Sequence, residues 1–279
     1  MKKIIKYSVL LLALTGIVAG CSKGEAKDKA AENKTVKLGV IGDDTDVWDD
    51  VQSRLKKEGI KLEYVKFSDY NQPNSALADG SIDLNAFQHQ FFLDNYNEEH
   101  GTDLVSIGNT VNAPMAIFSE KLKDVKDIKK GGEVAIPNDV TNGGRALLLL
   151  QTAGLIKIDE KAGLTPTVSD ITENAKELKI TELDASQTAR ALQDVDLSVI
   201  NSGVAVDAGF DPKKDSIFQE PVDENSKPYV NIIVSRKEDE NNEVYQKVVD
   251  AYQTDETKKV IDETSKNTSF PAWDTFGRK

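Results

Sequence analysis

From residue 36 onward, apolar and polar positions follow two rhythms that take turns. "VKLGVIG" (36–42) is a short apolar run and reads as a strand, whereas "DVWDDVQSRLKKEG" (46–59) repeats its apolar residues at helical spacing and stops at Gly59. "KLEYVKF" (61–67) alternates with period two and predicts a second strand. A short helix at "NSALADG" (74–80), a third strand at "IDLNAF" (82–87) and a helix at "FFLDNYNEEHG" (91–101), closed by Gly101, complete a βαβαβ unit. Such a unit implies a mainly parallel sheet covered by helices.

The rhythm then restarts. "EVAIP" (133–137) reads as a strand and "TNGGRALLLLQTAG" (141–154) as a helix capped by Thr141 or Asn142. "LKITELD" (178–184), "ASQTARALQD" (185–194) and "VDLSVINS" (195–202) read as strand, helix and strand. After the turn-rich "QEPVDENSKP" (219–228) come a late strand, "YVNIIVSR" (229–236), and helices at 241–253 and 255–265. The expectation is an α/β protein of two lobes. Ligands of open parallel sheets sit beyond the carboxyl ends of strands. Three such ends, "AFQHQFF", "PNDVTNGGR" and "VINSG", would face one crevice, which is the geometry of a clamp.

The first residues change the picture of where this protein works. Lys2, Lys3 and Lys6 precede an apolar stretch too short to span a bilayer, and "VAGC" places small residues directly before Cys21. This resembles the bacterial lipobox. A signal peptide at 1–20 and a lipid on Cys21, holding the protein on the extracytoplasmic face of the cell membrane, are expected. Residues 22–35, charged and without apolar periodicity, read as a flexible tether. Cys21 is the only cysteine, so neither a disulfide framework nor a thiolate metal site is expected. The formal charge is −12, and the first twenty residues carry three lysines and no acid, leaving −15 for the remainder. That balance argues against nucleic acid and against broad contact with anionic lipid.

Enzyme readings find little support. With two histidines in the whole chain no zinc site is expected, and there is no GxSxG elbow or phosphate loop. "DDTDVWDD" (43–50) holds five aspartates in eight residues but lacks the glycine and closing glutamate of a calcium loop. Acidic residues at a helix N-terminus are favourable without a metal. Neither metal nor cofactor is expected.

Binding candidates are better placed. Arg145 lies close behind "PNDVTNGG", where a guanidinium and free helix N–H groups would suit a carboxylate; a structural salt bridge to a neighbouring acid fits as well. Asn201 and Asn231 end or interrupt apolar strands, so their amides need partners, either from a ligand or from local backbone. The aromatic group comprises Phe67, Tyr70, Phe87 and His89. On composition alone Phe87 reads as core, while Tyr70 and His89 follow strand ends inside polar sequence.

"FSDYNQPNSALADGSIDLNAFQHQFFL", "VAIPNDVTNGGRALLLLQTAGLI", "ITELDASQTARAL", "DVDLSVIN" and "FPAWD" together resemble the NlpA/MetQ family of methionine-binding lipoproteins, over residues 36–276 in order. The resemblance implies a two-lobe type II periplasmic-binding fold, with lobe 1 at 36–113 plus 229–279 and lobe 2 at 114–228. It implies methionine as ligand, held by Phe67, Tyr70, Phe87 and His89 at the side chain, Arg145 at the carboxylate, and Asn142, Asn201 and Asn231 at the polar ends. It also implies a monomer serving an ABC permease with a cytoplasmic ATPase. Two departures stand out. Phe92–Leu93 occupies the place of a usual Tyr-Leu pair, and the small residues from Ser202 to Val206 follow Asn201. They open the question of D-methionine, a methionine dipeptide such as glycyl-methionine, or another apolar amino acid. A surface adhesin and an exported hydrolase are the readings outside this class.

Overall fold

The computed structural model describes residues 34–266 and 268–279. The expected signal peptide, Cys21 and tether residues 22–33 lie outside the described residues. Lys34 and Thr35, expected in the tether, already belong to the first strand.

In chain order, β1 (Lys34–Ile41), α1 (Asp46–Leu55), β2 (Ile60–Phe67), α2 (Gln72–Ala78), β3 (Leu84–Asn85), α3 (Gln90–His100) and β4 (Val105–Asn112) come first. The chain then crosses to a second lobe. There it forms β5 (Ala116–Phe118), β6 (Glu133–Pro137), α4 (Val140–Thr152), β7 (Lys157–Ile158), β8 (Ile171–Glu173), β9 (Lys179–Leu183), β10 (Leu197–Ile200), α5 (Ser202–Asp207), α6 (Pro212–Asp215) and β11 (Ser216–Gln219). It returns with β12 (Val230–Ser235), α7 (Glu243–Tyr252), α8 (Asp255–Thr264), β13 (Phe270–Pro271) and α9 (Trp273–Phe276).

The sheets are mixed rather than mainly parallel. One large sheet has the order β13-β4-β12-β3-β1-β2 and the other β11-β5-β10-β6-β9, while β7 and β8 form a separate two-stranded pair. β1 runs parallel to β2 and β3, but β12, returning from the other lobe, enters antiparallel between β3 and β4. In the second sheet β5 is the antiparallel intruder, paired with β10 and β11. Both intruders lie beside a crossing of the chain, where it changes direction. The βαβ reading sees only the local units and so misses this.

Alternation along the strands builds a core on each side of each sheet. Val36, Leu38 and Val40 of β1 pack with Trp48, Val51 and Leu55 of α1. Ile232 and Val234 of β12 face the opposite layer with Leu77 and Leu93, while Ile233 between them points back to the first. In the second lobe Ile117, Val134, Ile136 and Leu150 form one layer, and Ala116, Phe118, Leu192 and Ile200 the other.

Helix ends follow the expected chemistry with one change. Gly59 and Gly101 close their helices at φ of 74° and 64°, the left-handed region that glycine adopts without steric cost. The cap of α4 is Asp139, whose Oδ1 accepts from the Asn142 amide at 2.9 Å; the expected Thr141 and Asn142 lie inside the helix. The segment 185–194 is not an α-helix but two 3₁₀ turns, Ala185–Gln187 and Arg190–Gln193. Leu192 N donates three residues back to Ala189 O at 3.4 Å, and the Thr188 carbonyl accepts from Ser198 Oγ at 2.7 Å instead.

Candidate functional site

The three predicted strand ends meet between the lobes. β3 hands over to the segment Ala86–His89, which lies against β12: Ile232 N donates to Gln88 O at 3.0 Å, and His89 bridges Asn231 in antiparallel fashion. From the other lobe come the first turns of α4 and the Asn201 that caps α5. Gly144 lets α4 approach the loop behind it, since a Cβ there would lie 2.7 Å from Leu164 O and 3.0 Å from Thr165 Cα. Tyr70, Phe87, His89, Asn142, Arg145, Asn201 and Asn231 line one chamber of about 180 Å³. Phe67, the eighth candidate, does not line it; its ring packs with the Leu77, Ile82 and Leu93 cluster.

One wall is aromatic. Tyr70, Phe87 and Phe92 form a triangle of rings with centroids 5.9, 6.2 and 5.8 Å apart, and His89 meets Phe92 edge-on at 6.1 Å. Phe87, which composition assigned to core, is therefore part of the chamber. Phe91 turns the other way, onto Tyr229 at 6.4 Å. Burial and the nearby Asp139 carboxylate hold the Tyr70 hydroxyl protonated, with its pKa pushed well up.

The opposite wall is a polar relay. The Phe92 amide donates to His89 Nδ1 at 3.0 Å, so the proton of the neutral ring sits on Nε2 and is donated to Asn142 Oδ1 at 3.3 Å. Asn201 Nδ2 donates to the same Oδ1 at 2.8 Å, and Asn142 Nδ2 donates in turn to both Asp139 carboxylate oxygens at 3.0 and 3.2 Å. Asn201 Oδ1 is buried without a protein partner among the described residues. Burial first, and the positive Arg145 second, push His89 down to a pKa of about 3, against the opposing hydrogen bond to Asn142.

Arg145 combines both sequence readings. Its Nε donates to Glu220 Oε1 at 2.8 Å and its Nη2 to Glu220 Oε2 and to Ala113 O, the latter at 3.2 Å. The guanidinium also stacks 4.3 Å from the Tyr229 ring centroid. Nη1 has no hydrogen-bond partner among the described residues, and the side chain lines the chamber. Ala113 and Glu220 lie on the two segments that cross between the lobes, so one guanidinium holds both crossings beside the chamber.

Sequence reading missed several contributors. Asp139 carried a recognisable cap signal, but Glu220 and Tyr229 come from 75 and 84 residues further along than Arg145 and have no local signature. Gln88 is the least expected. Its side chain turns away from the chamber into a closed amide cluster with Asn74 and Asn85, all three buried. Asn74 Nδ2 donates to Gln88 Oε1 at 2.8 Å, Asn85 Nδ2 to Asn74 Oδ1 at 2.9 Å, and Gln88 Nε2 to Asn85 Oδ1 at 3.0 Å. The cluster pins the residue between Phe87 and His89. Asn74→Leu is expected to destabilise by about 2–3 kcal/mol, because it strands buried amides. Thermal unfolding checks this, and an unchanged Tm would show that the cluster carries no such weight.

A second chamber of about 240 Å³ adjoins the first, sharing Phe87, Asn231, Ser202 and Asp207 as lining and adding Asp44, Trp48 and Tyr252.

The family model described as NlpA lipoprotein matches residues 36–273. The chain belongs to the NlpA lipoprotein family. Among relatives of this NlpA-family chain, a D-methionine-binding lipoprotein MetQ from Escherichia coli (strain K12) is 46% identical over 229 residues, covering 80% of this chain and 82% of that one. The solved substrate-binding protein of a methionine transporter from Streptococcus pneumoniae is 48% identical, with a TM-score of 0.82 and coverage of 86% and 96%. A nutrient-binding protein from Burkholderia cenocepacia, solved bound to methionine, is 43% identical, with a TM-score of 0.81 and coverage of 85% and 99%. The NlpA-family chain thus has the two-lobe periplasmic-binding fold of these substrate-binding proteins.

Proposed function

We propose that this chain is the substrate-binding lipoprotein of an ABC importer. It captures methionine between its lobes and delivers it to a membrane permease driven by a separate ATPase. The observation that carries the reading is one chamber that offers a ring wall, a buried cation with a spare N–H donor, and a buried amide oxygen without a partner. These match the thioether, carboxylate and ammonium of an apolar α-amino acid. The names of the relatives support the same ligand.

Burying a methionine-sized side chain contributes about 1.5–3 kcal/mol, and micromolar affinity needs about 8 kcal/mol. The charge-assisted bonds at Arg145 and Asn201 therefore supply much of the difference. No bond is made or broken; the protein works as a monomeric clamp, not as an enzyme. Lipid on Cys21 holds it on the extracytoplasmic face of the cell membrane.

One observation favours a second ligand. The adjoining chamber, with Asp44 and Asp207 in its wall, has room and negative charge for an extra residue on the ligand's amino side, as in a methionine-containing dipeptide.

Calorimetric titration of the full chain in detergent, stripped of carried-over ligand by denaturation and refolding, tests the proposal. L-methionine, D-methionine, glycyl-methionine, leucine and glutamine are compared. Saturable heat with a methionine stereoisomer is expected. Binding of the dipeptide alone would transfer the site to the second ligand, and no binding of any would leave an adhesin-like role.

A further inference from the structure

The polar wall of the chamber is set from outside it. Asp139, the cap of α4, does not line the chamber. Its carboxylate accepts from the Asn142 amide at 2.9 Å, from Thr141 Oγ1 at 3.0 Å, and from Asn142 Nδ2 at 3.0 and 3.2 Å. An ionised carboxylate only accepts, so it commits the Asn142 side chain: Nδ2 faces Asp139 and Oδ1 faces away. The next amide is committed in turn. Asn201 meets Asn142 Oδ1 with its Nδ2, at 2.8 Å. That leaves Asn201 Oδ1, buried and without a partner among the described residues, as the free end of the chain.

The opposite end of the relay imposes the same direction independently. The Phe92 backbone N–H only donates, so His89 Nδ1 accepts from it at 3.0 Å and Nε2 carries the ring proton. That proton also points at Asn142 Oδ1, at 3.3 Å. Phe92 lies in the first turn of α3 in one lobe, and Asp139 starts α4 in the other. A donor fixed by one helix and an acceptor fixed by the other thus agree on a single amide. Turning that amide over would set N–H against N–H at the histidine and oxygen against oxygen at the aspartate.

We infer that Asp139 is a positioning residue for specificity: acting through Asn142, it holds Asn201 Oδ1 as an acceptor in the chamber wall and so selects a ligand whose group there only donates, an ammonium. The inference rests on the proposed amino-acid ligand and names what sets the choice at its amino group.

Two measurements on the full chain in detergent test it. Nitrogen-15 labelling of histidine gives NMR signals from two rings, His89 and His100, and His100→Gln tells them apart. At neutral pH and without ligand, His89 is expected to carry its proton on Nε2. A proton on Nδ1 would mean that Asn142 presents its Nδ2, and would overturn the inference. Calorimetry then compares L-methionine with its 2-hydroxy analogue, whose hydroxyl donates or accepts and so tolerates either direction. Asp139→Ser keeps a capping oxygen for α4 but drops the grip on Asn142. It is expected to lower the preference for methionine over the analogue about three- to tenfold. Asp139→Asn removes the same charge and also caps, but sets an N–H against Asn142 Nδ2, so the preference is expected to fall further than with serine. Equal weakening of both ligands would reduce Asp139 to a helix cap. Equal preference in the two variants would show that its charge, not the direction of the relay, does the selecting. If wild type binds neither compound, the methionine reading fails, while the position of the His89 proton still decides the direction of the relay.

Discussion

Arg145→Met is expected to weaken L-methionine binding at least 100-fold, about 3 kcal/mol, because it removes the only guanidinium that lines the chamber among the described residues. The same change is expected to destabilise the fold by about 3–5 kcal/mol, since Glu220 is left with a largely buried carboxylate and no cation. The two effects separate in a double-mutant cycle. Arg145→Met with Glu220→Gln removes the stranded charge and is expected to regain most of the lost stability without regaining affinity. Glu220→Gln alone keeps the cation and is expected to bind. Thermal unfolding gives the stability arm and calorimetry the affinity arm. If the double variant bound as tightly as wild type, Arg145 would be a structural ion pair and nothing more.

Arg145 also marks how far sequence reasoning reaches here. Its neighbourhood was legible because "PNDVTNGGR" is local: a strand end, a helix start and a cation within the same two turns, although the cap fell on Asp139 rather than on Thr141 or Asn142. Its partners were not. Glu220 arrives through the second crossing of the chain, and Tyr229 lies where the chain re-enters the first lobe. No pattern within a window of twenty residues links them. The same distinction runs through the fold. Strands inside βαβ units, such as 60–67 and 133–137, are visible from their period. By contrast, β4 (105–112), rich in Gly, Asn and Thr, and the three-residue β5 owe their pairing to strands eighty or more residues away. The order of the sheets follows from those pairings, so the antiparallel insertions were out of reach, although the six longer helices, α1 to α4, α7 and α8, were not. In "AFQHQFF" the aromatic character was plain, but the division of labour was not. Phe87 and Phe92 form the wall, Phe91 leaves it, and Gln88 is spent on holding the segment.

His89 makes acid sensitivity the second large effect. The unfolded chain takes up a proton near pH 6.5, whereas burial and Arg145 lower the folded-state pKa to about 3. The folded pKa is depressed, so the contribution of the neutral ring to stability is fully present above pH 6.5 and is lost progressively as pH falls towards 3. Between pH 7 and 4.5 the loss from this one group is on the order of 2 kcal/mol. Asp139 and Asp207 oppose it near the lower end, because burial raises their pKa values and a fold that protonates carboxylates early gains stability on acidification. The histidine contribution is isolated with His89→Asn, whose side-chain oxygen still accepts from the Phe92 amide at the start of α3 but does not titrate. Wild type is expected to lose more stability than this variant between pH 7 and 4.5, in chemical denaturation at each pH. Affinity should fall in parallel, since an imidazolium keeps its Nε2 proton but must surrender the Nδ1 acceptor that caps the start of α3 and fixes the ring against Asn142. Identical pH profiles for the two proteins would place the acid sensitivity elsewhere and would leave His89 as a packing residue of the aromatic wall.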